Sequence, residues 1–116
     1  MTYNKIDANH KQIVKELRSK GYKVSSLADL KNACDLLVYN GHRYELFEVK
    51  NPEYCSKIAL MDQGQRKRFL TKGEAKFAED FRVYIVISSQ EIIDIFASDL
   101  TIDNLIEIDE WIKKDK

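Results

Sequence analysis

The stretch CDLLVYNGHRYELFEVKN, residues 34–51, is typical of a β-hairpin and organises the rest of the sequence. Its two apolar runs, 34–39 and 43–50, are rich in Leu, Val, Tyr and Phe and flank Asn40-Gly41, the strongest short signal for a two-residue hairpin turn. Both runs are apolar at odd and at even positions. That pattern predicts strands that are covered on both faces, in the centre of a sheet.

Three charged side chains interrupt these apolar runs. With a two-residue turn, Asp35 faces Leu46 across the hairpin. Alternate residues of a strand share a face, so Asp35, Glu48 and Lys50 project to one side, with the two carboxylates as diagonal neighbours about 7 Å apart at the backbone. A three-residue loop would reverse this parity, whereas a four-residue loop would keep it. The opposite face supplies core residues: Leu36, Val38, Phe47 and Val49.

Two carboxylates that point at each other repel, and each raises the pKa of the other unless a positive charge lies between them. A hard cation such as Mg²⁺, which binds one or two carboxylates and completes its shell with water, suits such a pair. Lys50 is then placed to orient or deprotonate an attacking water, or to stabilise charge on a phosphate oxygen. The alternative is a solvated charge group with a surface salt bridge between Glu48 and Lys50. The apolar surroundings favour the functional interpretation, because unpaired charges are costly there.

The remaining elements follow from periodicity and from the residues that begin and end helices. Apolar residues at helical spacing predict a first helix over 7–20 that ends at Gly21. YKVSSL is an extended segment, 28–33 is a loop, and 82–88 is a β-branched run typical of a strand buried on both faces. A helical segment over 61–81 is interrupted near Gly73, and the tail ends in a helix that packs Trp111 on the body. The order predicts an α/β protein with a mixed central sheet flanked by helices, α-β-β-β-α-β.

Composition describes one ordinary globular domain, 1–116, with 44% hydrophobic and 33% charged residues and a formal net charge of zero. No apolar run is long enough to span a bilayer, and the N-terminus has no apolar core of a signal peptide, so we expect a cytoplasmic protein without membrane contact.

Cys34, Cys55, His10 and His42 do not form a zinc-ligand spacing, and the histidines are expected at the surface. A local cationic cluster in 57–76 is either a solvated helix face or a contact surface for phosphate: Lys57, Arg66, Lys67, Arg68 and Lys72.

Asp35, followed after the hairpin by Glu48-Val49-Lys50, resembles the D…ExK signature of the PD-(D/E)XK nuclease superfamily. The layout over about 5–90 is similar to that of small phage and bacterial members related to VRR-NUC domains and Holliday-junction resolvases. The resemblance implies a restriction-endonuclease-like core followed by an acidic C-terminal extension, 90–116. ExK alone is a weak motif, and its place on a hairpin with Asp35 at matching parity makes it more specific.

The resemblance also implies roles for further residues. Mg²⁺ or Mn²⁺ would be held by Asp35, Glu48 and the backbone carbonyl of Val49, and Lys50 would assist the attack of water on a phosphodiester. The helix-borne Gln of the family matches Gln65, with Gln63 as the rival. Many members carry a Glu in the first helix, and here the residues near that position are different: Asp7, Asn9, His10, Gln12 and Glu16.

These features predict a metal-dependent DNA endonuclease with Asp35, Glu48, Lys50 and Gln65 as its catalytic residues. We expect it to act selectively on branched or flapped DNA, with RNA as an alternative substrate, and to work as a homodimer. One alternative is an inactive module on the same fold that binds nucleic acid or a partner without turnover. Another is a structural or regulatory protein whose acidic tail binds a basic partner.

Overall fold

The computed structural model describes residues 8–54 and 56–98, which form a four-stranded mixed sheet with helices on its faces. The strands are β1 (Lys23–Ser26), β2 (Leu36–Tyr39), β3 (Tyr44–Val49) and β4 (Val83–Val86). The helices are α1 (Ala8–Ser19), α2 (Gln63–Arg66), α3 (Lys72–Asp80) and α4, which covers 89–98. Short 3₁₀ segments connect β3 to α3: Pro52–Tyr54, Ser56–Leu60 and Lys67–Phe69. The predicted α/β class and the order of its elements are confirmed, and the helix expected around Trp111 lies outside the described residues.

The sheet has the order β1-β2-β3-β4, so both strands of the predicted hairpin are internal. β1 and β3 pair antiparallel with β2, whereas β4 pairs parallel with β3. A parallel neighbour requires a long crossover, and the segment that contains α2 and α3 provides it. The sheet is therefore mixed, with β3 bonded to a neighbour on each side.

The turn of the hairpin differs from the two-residue turn that the Asn-Gly dipeptide predicts. Tyr39 pairs with Tyr44 across a four-residue loop. The side chain of Asn40 accepts hydrogen bonds from the N–H groups of His42 and Arg43, both at 2.9 Å, and this side-chain turn extends the loop.

The longer loop moves every cross-strand pair by two residues and leaves the faces unchanged. Leu46 pairs with Leu37 instead of Asp35. Continuing the register by one residue beyond β2 places Asp35 across from Glu48, so the two carboxylates are closer than the predicted diagonal neighbours. The predicted faces are confirmed: Leu36, Val38, Phe47 and Val49 lie on the core face, and Asp35 and Glu48 lie on the other.

The main core lies between the sheet and the two helices α1 and α4. Its buried members are Ile13, Leu17, Leu36, Val38, Phe47, Val86, Ile92 and Phe96. α1 ends as predicted, because Gly21 adopts φ +93° and the N–H groups of Gly21 and Tyr22 bond to the carbonyls of Arg18 and Leu17, both at 3.1 Å. The opposite face of the sheet carries Glu48 and Ile85, and α3 and the 3₁₀ segments cover it.

The helical segment over 61–81 is interrupted at Leu70-Thr71, three residues before the predicted break near Gly73. Thr71 caps α3 through a reciprocal capping box with Glu74: Thr71 Oγ1 accepts from the Glu74 N–H at 3.2 Å, and Glu74 Oε1 accepts from the Thr71 N–H at 2.9 Å. Gly73 lies within the first turn of α3. A Cβ at that position would collide with the side chain of Asn32, so glycine permits the loop before β2 to approach α3 closely.

The open edge of β4 is covered by side chains of α2. The carboxamide of Gln63 accepts from the Ile85 N–H at 2.6 Å and donates to the Ile85 carbonyl at 2.9 Å, which imitates a neighbouring strand. Arg66 is 3% exposed and donates to the carbonyls of Ile85 at 2.7 Å and Ile58 at 3.0 Å. It also pairs with both carboxylate oxygens of Glu91, at 2.8 and 2.9 Å.

Replacing Arg66 tests this structural role. We expect Arg66→Met to lower the free energy of unfolding by more than about 2 kcal/mol. The Ile58 carbonyl loses its donor, the Ile85 carbonyl keeps only the donor from Gln63, and Glu91 loses its cationic partner. The matched control is Arg68→Met, which removes the same charge at an exposed position and should change stability by less than about 0.5 kcal/mol. Urea unfolding of both variants measures the difference, and equal stability would contradict the role assigned to Arg66.

Candidate functional site

Asp35 is the first member of a cluster of charged side chains at the end of β2 and β3. Its Oδ2 accepts a hydrogen bond from the Val49 N–H at 2.8 Å, and its own N–H donates to the Phe47 carbonyl at 3.1 Å. The Asp35 side chain therefore accepts from a backbone N–H of β3 at the point where the hydrogen bonding between β2 and β3 ends. This contact fixes the carboxylate beside β3 and engages only one of its two oxygens in a bond to Val49.

Glu48 is the most deeply buried carboxylate of the cluster, with 4% of its surface exposed. Burial raises its pKa to about 9, and the negative charges of Asp35 and Glu74 add to that shift, while Lys50 opposes it. The Lys50 Nζ atom lies 3.4 Å from Glu48 Oε2. The single lysine therefore compensates only part of the negative charge around Glu48.

Glu74 brings a third carboxylate to the cluster from the first turn of α3. Its Oε1 lies 3.2 Å from Lys50 Nζ and also accepts from the Thr71 N–H. Burial acts to raise the pKa of Glu74, but the Thr71 N–H and Lys50 outweigh it and hold the pKa below its ordinary value. Sequence reasoning missed Glu74 as a site residue. The Thr-x-x-Glu pattern at 71–74 indicates the start of a helix, and the crossover brings that start to the site.

Lys50 lies between two of the carboxylates, with its side chain 21% exposed. Burial acts to lower the pKa of Lys50, but the charges of Glu48 and Glu74 together outweigh it and raise the pKa above its ordinary value. The backbone carbonyl of Lys50 accepts a hydrogen bond from Asn9 Nδ2 at 3.0 Å. α1 thus holds the backbone of Lys50 from one side while its side chain enters the cluster.

A cavity of about 260 Å³ opens onto these carboxylates. Its walls are the loop before β2, the end of β3 and the first turn of α3, and they include Asp35, Glu48, Thr71 and Glu74. Cys34 also lines it, and burial, aided by the charges of Glu48 and Asp35, raises the pKa of this thiol to about 11. The thiol is therefore neutral near pH 7, so Cys34 adds no charge to the cavity wall.

The cluster fits a hard divalent cation bound by two carboxylates and water. Asp35 and Glu48 lie together at the wall of a cavity that has room for water, and Mg²⁺ commonly binds through one or two carboxylates while keeping several waters. Within residues 8–54 and 56–98, no group of three or more His, Cys, Asp or Glu side chains has the arrangement of a complete metal site. Glu74 Oε1 lies 3.2 Å from Lys50 Nζ, so this carboxylate is engaged by an ammonium within the same cluster.

The two glutamines that sequence reasoning weighed as site residues are both engaged elsewhere. Gln65 is exposed and closes the capping box of α2 with Asp62, where Gln65 Oε1 accepts from the Asp62 N–H at 3.0 Å. Gln63 covers the edge of β4 through Ile85. Neither carboxamide lines the cavity that holds Asp35 and Glu48, so the structure does not bring Gln65 together with the other predicted catalytic residues.

The predicted phosphate-binding segment divides into one interior residue and four surface residues. Arg66 is buried in its pair with Glu91, so its guanidinium is not on the surface that the sequence suggested. The others are exposed: Lys57, Lys67, Arg68 and Lys72. Lys72 follows Thr71 at the cavity, and Lys31, which sequence reasoning did not single out, lines the cavity itself.

The first helix contributes Asn9 to the surroundings of the cluster, through the carbonyl of Lys50. Glu16 lies away from it, because its carboxylate accepts from Ser89 at 2.6 Å and from Gln12 at 2.9 Å. His10 is 6% exposed, so its prediction as a surface residue is wrong. It precedes Ile13 by three residues and therefore lies on the flank of α1 that packs on the sheet. Asp7 lies outside the described residues.

Comparison with protein-family models, with curated proteins and with solved structures finds no match to this chain. The described helices include none that is both long enough and apolar enough to cross a membrane. The resemblance to the PD-(D/E)XK superfamily therefore stays a prediction, and the function proposed below rests on the side chains at the ends of β2 and β3.

The raised pKa of Glu48 predicts how the stability of the metal-free protein depends on pH. The carboxyl titrates near 9 when folded and near 4.5 in its ordinary state, so folding favours the protonated form. The stabilising contribution is complete below about pH 4.5 and is lost as the pH rises towards 9. The lowered pKa of Glu74 affects stability below this pH range, and the raised pKa of Lys50 affects it above the range.

In EDTA, we expect Glu48→Gln to be more stable than the wild type at pH 8 by more than about 1 kcal/mol, the equivalent of a single pKa unit. The difference should shrink towards pH 5. Glu79→Gln, an exposed position of α3, is the control. Urea unfolding at several pH values measures it, and a Glu48→Gln variant that is less stable than the wild type across the range would contradict the prediction.

Proposed function

We propose that this chain is a metal-dependent nuclease of the PD-(D/E)XK type, with a restriction-endonuclease-like core, that hydrolyses phosphodiester bonds in DNA. The proposal is carried by Asp35 and Glu48, which line one cavity, together with Lys50, whose Nζ atom lies 3.4 Å from Glu48 Oε2. Each of these side chains comes from a strand end, and β3 holds two of them in a fixed relation. Rigid strands position catalytic groups more accurately than loops do.

The charge of the cavity supports the participation of a cation. When ionised, Asp35, Glu48 and Glu74 place three negative charges around the single positive charge of Lys50. A phosphodiester is itself an anion and would be repelled by that surplus. A divalent cation would cancel that surplus, and it would offset the repulsion from Asp35 and Glu74 that adds to burial in raising the pKa of Glu48.

Asp35 and Glu48 would hold the ion, and the resemblance adds the carbonyl of Val49 as a third ligand. When bound, Mg²⁺ or Mn²⁺ would polarise the scissile phosphate and lower the pKa of water at the site. One carboxylate oxygen of Asp35, Oδ2, accepts a hydrogen bond from the Val49 N–H, and the other would bind the ion. The carboxylate is therefore oriented before an ion arrives. Such preorganisation reduces the cost of binding.

Lys50 would act on the substrate as a positive charge. Its raised pKa means that the ammonium keeps its proton near pH 7, which favours stabilising charge on a phosphate oxygen and orienting water over abstracting a proton. Glu48 and Glu74 hold the ammonium from two sides at 3.4 and 3.2 Å, so it is positioned without needing substrate.

The choice of substrate follows from the surface around the cavity. Lys31 at the wall and Lys72 beside Thr71 supply positive charge that suits a phosphate backbone. None of the described residues forms a separate element that would read base edges, so selection by DNA structure, such as branches or flaps, is favoured over selection by sequence. A homodimer would combine two such surfaces of a chain whose formal net charge is zero.

Cleavage of labelled DNA tests the proposal. We expect the full-length protein to cut flapped or branched DNA in Mg²⁺ or Mn²⁺ and not in EDTA. Glu48→Gln and Lys50→Met should each lower the rate at least about 100-fold, because each removes charge that acts in the transition state. The same assay with single-stranded DNA, duplex DNA and RNA ranks the substrates.

Glu79→Gln is the matched control, since it neutralises an exposed carboxylate on the same helix as Glu74. It should cut at the wild-type rate. Cutting that persists in Glu48→Gln, or that continues in EDTA, would contradict the assignment of this cavity as the active site.

A second candidate function is nucleic-acid binding without turnover. The observation that favours it is the pair of contacts from Lys50 to Glu48 and Glu74, which compensates part of the negative charge without any metal. This module would bind DNA equally well with and without divalent ions and would bind it with Glu48→Gln as tightly as with the wild type. Binding with those properties, together with no cutting of any substrate, would replace the nuclease proposal.

A further inference from the structure

An open groove of about 480 Å³ runs along the outer flank of α1, beside the edge strand β1. Its walls include Lys11, Val14, Lys15 and Arg18 of α1 and Ser26 of β1. Lys11, Lys15 and Arg18 follow one another at intervals of four and three residues, so they form one stripe along the helix. We call this feature the α1 groove.

Charge is segregated across α1. The only acidic residue of the helix is Glu16, and its carboxylate points to α4, where it bonds to Ser89 at 2.6 Å. Within residues 8–54 and 56–98, neither Lys11 nor Lys15 forms an ion pair, and both are exposed. Arg18 donates to the Val24 carbonyl at 2.9 Å, which fixes one wall of the groove to β1. Among the described residues, the groove thus presents a row of positive charges with no carboxylate in its lining.

The α1 groove and the cavity of the candidate active site lie next to each other. Ser26 lines the groove, and Ala28, two residues later in the chain, lines the cavity. Ser26 also pairs with Leu36 at the beginning of β2, which is the end of the sheet where Asp35 lies. A polymer that occupied the cavity could therefore continue around the edge of β1 and into the groove.

We infer that the α1 groove binds the phosphate backbone of a nucleic acid that extends from the active-site cavity. This inference rests on the proposed nuclease function and names a substrate-binding surface for it. The occupant follows from the unneutralised lysines and from the continuity with the cavity. The apolar part of the groove comes from Val14 and from the aliphatic stems of the basic side chains, which long cationic residues commonly lay along a surface while their charged ends reach solvent.

A double substitution tests the groove. Lys11→Gln/Lys15→Gln removes two charges and keeps good helix-forming residues. We expect it to weaken binding of a fluorescein-labelled flapped DNA about tenfold at low salt and to reduce the dependence of log Kd on log salt concentration by about 1 to 2. Fluorescence anisotropy in EDTA measures this without cleavage, and circular dichroism verifies that the variant is folded.

The matched control is Lys20→Gln/Lys23→Gln, which removes the same charge from exposed residues at the other end of α1 and β1. It should change the dependence of log Kd on log salt concentration by less than Lys11→Gln/Lys15→Gln does. Equal effects of the two double variants, or no effect of Lys11→Gln/Lys15→Gln, would overturn the inference. Loss of a dimer in sedimentation equilibrium, with unchanged DNA binding, would assign the groove to a second copy of the chain and would also overturn it.

The same measurements separate this inference from the nuclease proposal. DNA binding that depends on Lys11 and Lys15, in a protein that cuts no substrate, would support the groove and contradict the nuclease. If the wild type cuts DNA and Lys11→Gln/Lys15→Gln binds DNA as tightly as the wild type, the nuclease proposal would be supported and the groove contradicted. A wild type that does not bind DNA at all would contradict the groove.

Discussion

The register of β3 between β2 and β4 determines where the candidate catalytic side chains lie. β3 bonds antiparallel to β2 and parallel to β4, so β3 cannot change its register without breaking both pairings. Glu48 and Lys50 are separated by one residue at the end of β3 and therefore project from the same face. Asp35 is attached to this strand through the Val49 N–H. A slip of one residue would move Glu48 into the apolar core and Phe47 out of it, so core packing and site geometry depend on the same pairing.

The electrostatic balance at that end of the sheet explains why the candidate site is costly to stability. A carboxylate that is 4% exposed beside two others lowers stability, and proteins tolerate such groups mainly where they act. Lys50 reduces the cost by contacting Glu48 and Glu74 at the same time. The three carboxylates outnumber this single ammonium, and the proposed cation would offset that imbalance. By contrast, the Arg66–Glu91 pair closes the edge of β4 and has a structural role.

Local patterns predicted the parts of the structure that short-range physics controls. The prediction of which hairpin residues share a face was correct, because lengthening the loop by two residues leaves each side chain on the same face. The partner of Asp35 was wrong, since the side chain of Asn40 selected that longer loop. Glu74 and Arg66 could not be placed from sequence, because their positions depend on how the crossover packs α2 and α3 against the sheet. From its basic sequence neighbours, Arg66 is expected at the surface; its burial depends on Glu91, a partner that is distant in the sequence.

Anomalous X-ray diffraction from crystals grown in Mn²⁺ tests the central claim most directly, since it locates the ion independently of any activity. The account predicts a single strong peak at the active-site cavity, within ligand distance of the carboxylates of Asp35 and Glu48, and no peak there in crystals of Asp35→Asn. A peak bound elsewhere on the chain, or a cavity without an ion at saturating Mn²⁺ while Lys50 keeps its contacts with Glu48 and Glu74, would contradict it.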